Sequence, residues 1–331
     1  MPFVIAFAVG LALMPLARWA GLALGIVDKP SGDDLKIHAK PISLLGGLAT
    51  IASALAAQML VGGGFAWPVV AAAVMALAVG LLDDLFRLPP ILRVALIGGV
   101  GAILVAGNVG IDRLGLAAGV GVILLVLACA NAVNIIDGQD GLAGGVAAVA
   151  ALGIAAVLAL RGDGEGTSLG LALAGGLAAF LVWNRPPARI FLGDGGAYAV
   201  GMLLAVLAAR AVEAGDLRGL LAAGAALGIL AFEVAFSIGR RVTSGARLAG
   251  GDRLHSYDLV AARWGRTAST LTFWSLGAVC AAGAILVSSL PVLAGALLLG
   301  IGVVPAAWWG VWLWSRRPLA REGPPASQDP G

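Results

Sequence analysis

Charge is what this 331-residue chain has least of. Asp, Glu, Lys and Arg make up 12% of it, against about 25% in a soluble domain. Hydrophobic residues make up 60%, and the mean hydropathy is +0.99. This scarcity excludes an ordinary water-soluble globule, and equally a disordered chain, which needs low hydrophobicity and high charge. Cysteine is nearly missing. Cys129 and Cys280 fall in apolar stretches, where a thiol acts as a small hydrophobe, so no disulfide framework or thiolate metal site is expected. Histidine is as scarce: His38 and His255 do not form a His-x3-His pair, and zinc would need added carboxylates. A net charge of +3 implies no nucleic-acid partner. No basic residue precedes Arg18, so the N-terminus lacks the charged start of a signal peptide and reads as a retained first span.

Long apolar runs are what the chain has instead. Crossing hydrocarbon takes about 20 helical residues, and runs of that order recur throughout. They are continuous rather than alternating, which excludes barrel strands. The chain is therefore read as an all-α polytopic membrane protein of about eleven helices. They lie near 3–25, 44–63, 67–83, 90–107, 113–131, 141–160, 168–184, 196–211, 218–238, 269–288 and 291–314, or number ten if the pair around Pro291 is read differently. One transmembrane domain spans 1–314, with loops 26–43, 83–92, 131–141, 184–196 and 239–268 on one side. The polar, Pro-rich tail 315–331 is expected to be disordered.

Lys and Arg set the orientation. Sixteen of the twenty-one basic residues lie on the side of those loops and the tail, and four on the other. The loops are thus cytoplasmic, with the N-terminus outside. Twelve of the eighteen acids share that side, and Glu233 lies inside the ninth helix. An ionisable group at membrane depth costs about 2.5–3.5 kcal/mol and marks a functional site by default.

Five segments carry the candidates. Asp83 and Asp84 in LLDDLFRLPP are adjacent carboxylates, which repel unless a cation lies between them. They suit a divalent metal, or else form a solvated helix end with Arg87 as surface partner. In NAVNIIDGQDGLAGG, Asn131, Asn134 and Asp137 recur every three residues along one helix face, with Asp140 three further on; the plainer reading is a polar helix–helix contact. Asp194 in FLGDGGAY sits in a glycine-flanked turn before a helix. It is either an N-cap or part of a phosphate-holding helix start, with Arg185 and Arg189 near. Lys36, His38 and Lys40 occupy the first cytoplasmic loop. The longest loop holds Arg240, Arg241, Arg247, Arg253 and His255, suited to forked contacts with phosphate or to lipid headgroups. All five fall on one side. Clustered acids suggest a metal and clustered bases suggest phosphates, so together they describe phosphoryl transfer, in which positioning and electrostatics carry the catalysis.

The ordered set D-x-P, K-x-H, DD, NxxNxxDGxDGLA, FLGDxG and a basic loop with a histidine, from about Asp28 to Gly265, resembles the polyprenyl-phosphate N-acetylhexosamine-1-phosphate transferases, glycosyltransferase family 4. The resemblance implies a Mg²⁺-dependent reaction, with Mn²⁺ able to substitute, of a UDP-N-acetylhexosamine with undecaprenyl phosphate. The products would be undecaprenyl-diphospho-sugar and UMP, at the bacterial inner membrane. It also implies roles. Asp83, Asp84 and Asp194 would be catalytic, with Asp83 and Asp194 at the metal. Lys36, His38, Asn131, Asn134, Asp137, Asp140, Arg253 and His255 would bind substrate. The partners would be the two substrates, the bilayer and, where the chain self-associates, a second copy. The last loop reads DRLHSYDL, with one histidine rather than a cluster. That resembles O-antigen-initiating members more than the peptidoglycan translocase, and favours UDP-GlcNAc or a close relative. The rival class is a secondary transporter, which would place acids near helix centres in two related halves.

Overall fold

A computed structural model describes residues 1–30, 40–61, 67–109, 115–212, 217–245 and 254–315. Among these the chain forms thirteen helices and one short strand pair. The helices are α1 (Pro2–Leu24), α2 (Gly46–Val61), α3 (Trp67–Phe86), α4 (Pro90–Ala106), α5 (Gly115–Ile136), α6 (Leu142–Leu160), α7 (Gly164–Asn184), α8 (Gly193–Ala211), α9 (Leu217–Ala226), α10 (Gly228–Ser244), α11 (Ser256–Trp264), α12 (Arg266–Ser289) and α13 (Val292–Ser315). Eight of them are long and apolar enough to cross a membrane; α2 and α4 are shorter apolar helices. Helices are expected here, because hydrocarbon offers a backbone no partner but itself.

Every expected helix has a counterpart, with two differences. The expected ninth helix is two, α9 and α10, bent by 70° at their junction. The bend falls between Gly224 and Gly228, in keeping with the tendency of helices to kink at small residues. The loop 239–268 also holds more helix than expected: α10 runs on to Ser244, and α11 forms before α12. α11 is short but two-faced, burying Tyr257, Leu259 and Val260 and exposing Arg263 and Trp264. The expected disordered tail lies outside the described residues beyond Ser315.

α8 is the hub of the bundle. Buried residues fill 89% of its apolar window, against 6% for α13. It packs against α2, α3, α5, α6, α7 and α9. Small residues permit this crowding, since packing rather than hydrophobicity holds helices together in lipid. A Cβ on Gly80 of α3 would run into the backbone of Gly195, and one on Gly47 of α2 into that of Gly196. The first turn of α8 is therefore clasped between two neighbouring backbones. Outward, Trp19, Ile91, Leu293 and Val304 are among many exposed large apolar side chains, a surface that hydrocarbon rather than water would cover.

The loops are tied at one end of the bundle. Strands β1 (Val27–Asp28) and β2 (Ile42–Ser43) pair antiparallel, and Ser43 bridges to Ile190. The N–H groups of Gly46 and Gly47 donate to Phe191 and Leu192 carbonyls at 3.0 and 2.9 Å. The first loop is thus fastened to the segment leading into α8.

Candidate active site

The clasp on α8 brings the last turn of α3 to the first turn of α8. Early N–H groups of a helix have no partner within it. Asp84 supplies one: its Oδ2 accepts the Asp194 N–H at 3.1 Å. Gly193, at φ 72°, takes the left-handed turn that glycine allows without strain, and Asp194 follows it in the first turn of α8 rather than before the helix. From the last turn of α5, Asn134 donates its Nδ2 to Asp194 Oδ1 at 2.6 Å. Three helices therefore converge on one pair of carboxylates.

Asp83 is 4% exposed and well supplied with donors. Its Oδ1 accepts the Leu88 N–H at 2.9 Å. Its Oδ2 accepts Arg93 Nη1 at 3.1 Å and the Tyr198 hydroxyl at 2.7 Å. The plainer reading of this pair has Arg87 as its partner; the cation on Asp83 is Arg93, ten residues along, and Arg87 sits at φ 52°. Asp83 also neighbours Asp194, so the pair from α3 and the acid from α8 form one cluster.

Asp137 follows directly on α5 and is half-buried. Loss of hydration raises its carboxyl well above the usual range, and repulsion from Asp194, Asp84 and Asp140 adds to this. Asp140 belongs to the same turn but is engaged structurally, accepting the Ala188 N–H at 3.0 Å. Asn184 fastens the turn from the other side. It accepts the Gly141 N–H at 2.7 Å and donates to the Ile190 carbonyl at 2.9 Å. Gln139 donates to Thr270 Oγ1 at 2.6 Å. Asn131, by contrast, turns back to the Leu127 carbonyl of its own helix at 2.8 Å.

His255, 6% exposed, stacks parallel on Tyr257 with ring centroids 5.4 Å apart. Tyr257 donates its hydroxyl to the Ile135 carbonyl at 2.9 Å, which sets this histidine turn against the Asp137 turn. Lys36, His38 and Arg253 lie outside the described residues. Asp83, Asp84, Asn134, Asp137 and Asp194 are thus gathered, with Asp140 and His255 on the flanking turns and Asn131 bonded elsewhere. Arg93, Tyr198, Tyr257 and Asn184 were not singled out from sequence. Tyr198 had a signal, since it lies four residues after Asp194 and shares its helix face; Arg93 had one as a cation within an apolar helix.

Among the described residues no three His, Cys, Asp or Glu side chains are grouped so as to hold a metal ion by themselves. The gathered donors are all oxygen, from Asp84, Asp194 and their neighbours. Such a set fits a hard cation like Mg²⁺, which binds through one or two carboxylates and completes its shell with water and phosphate oxygens.

Fold and site together define a helical membrane protein with a carboxylate-rich centre at one end of its bundle. Residues 66–212 match the model of glycosyl transferase family 4. This segment holds the whole acidic cluster and is similar to that family. Over 305 residues the chain is 27% identical to a "Probable undecaprenyl-phosphate N-acetylglucosaminyl 1-phosphate transferase" of Bacillus subtilis (strain 168), covering 87% of this chain and 84% of that relative. It is 40% identical over 166 residues to a phospho-N-acetylmuramoyl-pentapeptide-transferase of Desulforudis audaxviator, 48% and 46% of the two chains. A shorter stretch of 85 residues is 46% identical to the enzyme of the same name from Moorella thermoacetica, about a quarter of each chain.

Proposed function

We propose that this protein transfers an N-acetylhexosamine 1-phosphate from a UDP-sugar to undecaprenyl phosphate, leaving UMP, at the cytoplasmic face of a bacterial inner membrane. The observation that carries the reading is the convergence of α3, α5 and α8 on Asp83, Asp84, Asn134 and Asp194. In the reaction an oxygen of the lipid phosphate bonds to the sugar-bearing phosphorus. The bond to the UMP oxygen breaks, and UMP leaves with its electrons. A phosphate monoester has its second pKa near about 6, so at neutral pH the attacking oxygen needs little help in losing a proton, and direct attack is favoured.

The difficulty is the approach of one anion to another. When bound, Mg²⁺ would neutralise the diphosphate, and Asp83 and Asp194 are the carboxylates expected beside it. Asp83 already accepts three hydrogen bonds, so Asp194 takes the larger share and Asp84 supports it. Asn134 orients Asp194, and Tyr198 and Arg93 hold Asp83. Arg93 is partly exposed on a helix with a largely apolar exterior, where a lipid phosphate can reach its guanidinium. Asp137 and His255 stand on the nucleotide-sugar side. The long match to the N-acetylglucosaminyl relative and the single histidine of the last loop both favour UDP-GlcNAc. The glycan it starts is read as O-antigen-like.

Purified protein should release UMP from a UDP-N-acetylhexosamine only when undecaprenyl phosphate and Mg²⁺ are both present. A screen over UDP-GlcNAc, UDP-GalNAc and their 6-deoxy relatives names the sugar. No UMP from any of them overturns the proposal, and substrate movement without chemistry would favour a transporter.

A further inference from the structure

Glu233 takes no part in the cluster above, yet it is a carboxylic acid with no solvent exposure inside the apolar helix α10. A carboxyl at such a depth is costly and calls for a partner. Its partner lies on another element: the Ser256 hydroxyl donates to Glu233 Oε1. The backbone N–H groups of Ser256 and Tyr257 also lie against it. These are the opening residues of α11, whose first N–H groups have no partner within their helix and call for an acceptor from outside it. The other oxygen, Oε2, has no hydrogen-bond partner among the described residues.

From this capped end, contacts run directly to the site. Tyr257 reaches the Ile135 carbonyl at 2.9 Å. Its own carbonyl accepts the Ser269 hydroxyl at 2.9 Å, and its ring carries His255. Gly138, next to Asp137, leaves no room for a Cβ against the Tyr257 hydroxyl. Any shift of the start of α11 therefore moves His255 and Tyr257 relative to the Asp137 turn.

We propose that Glu233 is a positioning residue: from α10 it caps the N-terminus of α11 and so holds the His255–Tyr257 turn in register with the nucleotide-sugar side of the site. The proposal rests on the function stated above. Only Oε1 of Glu233 is engaged, so a glutamine can present the same acceptor. Removing a buried acceptor leaves its donors unpaired, an effect expected to be roughly tenfold.

The test compares Glu233→Gln, Glu233→Ala and Ser256→Ala with the full-length wild type in nanodiscs, by amide hydrogen exchange over residues 256–259 and by UMP-release kinetics. Glu233→Ala should speed exchange there about tenfold and raise the UDP-sugar KM about tenfold, leaving the undecaprenyl phosphate KM within about twofold. Glu233→Gln should restore both readouts to near wild type. Ser256→Ala should shift both in the same direction, with no further effect in the Glu233→Ala background. Glutamine as damaging as alanine would overturn the proposal, because the charge itself would then be required. Unchanged exchange in Glu233→Ala would show that there is no cap. Faster exchange with wild-type kinetics would cut the link to the site. Where Glu233→Ala fails to fold, Ser256→Ala against wild type decides between the same outcomes. A wild type that releases no UMP refutes the function, while the exchange measurements still decide the cap.

Discussion

The two ends of the bundle treat their acids in opposite ways. At one end Asp83, Asp84, Asp137 and Asp194 crowd together, and Arg93 forms an ion pair with Asp83 there. At the other, the Arg210 guanidinium grips Asp163 with two bonds of 2.7 Å and reaches Glu165 at 3.2 Å. The carboxyls outside the helices shift accordingly. Burial and neighbouring acids raise Asp137. Partial burial would raise Asp163 too, but Arg210 and the Gly166 N–H hold it below the ordinary range. Asp163 also caps α7 through that N–H. Saturated acids fasten α6, α7 and α8 together. The crowded acids instead repel one another, with Arg93 set against Asp83.

The largest effect should come from the crowded end. Asp194→Asn is expected to cut UMP release about a thousandfold or more, in keeping with the loss of a central electrostatic group. Its melting temperature should equal or exceed that of wild type without divalent cations, because one repelling charge is gone. A large fall in melting temperature would erase the contrast between the two ends. Next, Arg93→Ala should reduce turnover about a hundredfold, with the undecaprenyl phosphate KM rising more than the UDP-sugar KM; an equal rise in both would remove Arg93 from the lipid side.

Arg210→Met tests the other end. It breaks a forked, partly buried pair and should cost about 1–3 kcal/mol of stability while leaving kcat and both KM values unchanged in the folded fraction. A kinetic effect would mean the outer pair also serves the site. The same pair carries a pH signature. Asp163 is depressed, so its contribution is complete above an unfolded Asp pKa of about 3.9 and is lost as pH falls through the lower folded value. Melting curves of wild type and Arg210→Met should therefore differ at pH 7 and converge under acid, whereas a constant gap would point to packing alone. The smallest effect concerns Gln58, 1% exposed, whose Oε1 has no partner among the described residues in the small cavity it shares with Glu165 and Arg210. Gln58→Leu should be neutral or stabilising by up to about 1 kcal/mol; a clear loss of stability would reveal a bond that this amide makes.

Much of the site was legible before the fold. Asp83, Asp84, Asn134, Asp137 and Asp194 stand out because an apolar chain gives its few polar residues little reason to cluster. Asn131 shares their spacing yet bonds back to Leu127, since a three-residue period drifts off a helix face by its end. Asp140 shares their motif but ties the turn to Ala188. The donors that order the cluster were hidden for a different reason. Tyr198 and Arg93 each carried a faint local signal, but contacts between helices are not written in local sequence. Tyr198 meets Asp83 through the approach of α3 and α8 that Gly80 and Gly195 permit, and Arg93 comes from α4.

Sequence alone determined that the chain is helical, apolar enough for membrane spans, and sparing with polar residues that gather in a few motifs, because hydropathy and residue type are local properties. Only the tertiary structure decided which acids share one centre, which cation each one meets, and that Glu233 reaches Ser256 rather than the acidic cluster. Those are distances between segments as far apart as residues 83 and 198, fixed by how closely backbones pack.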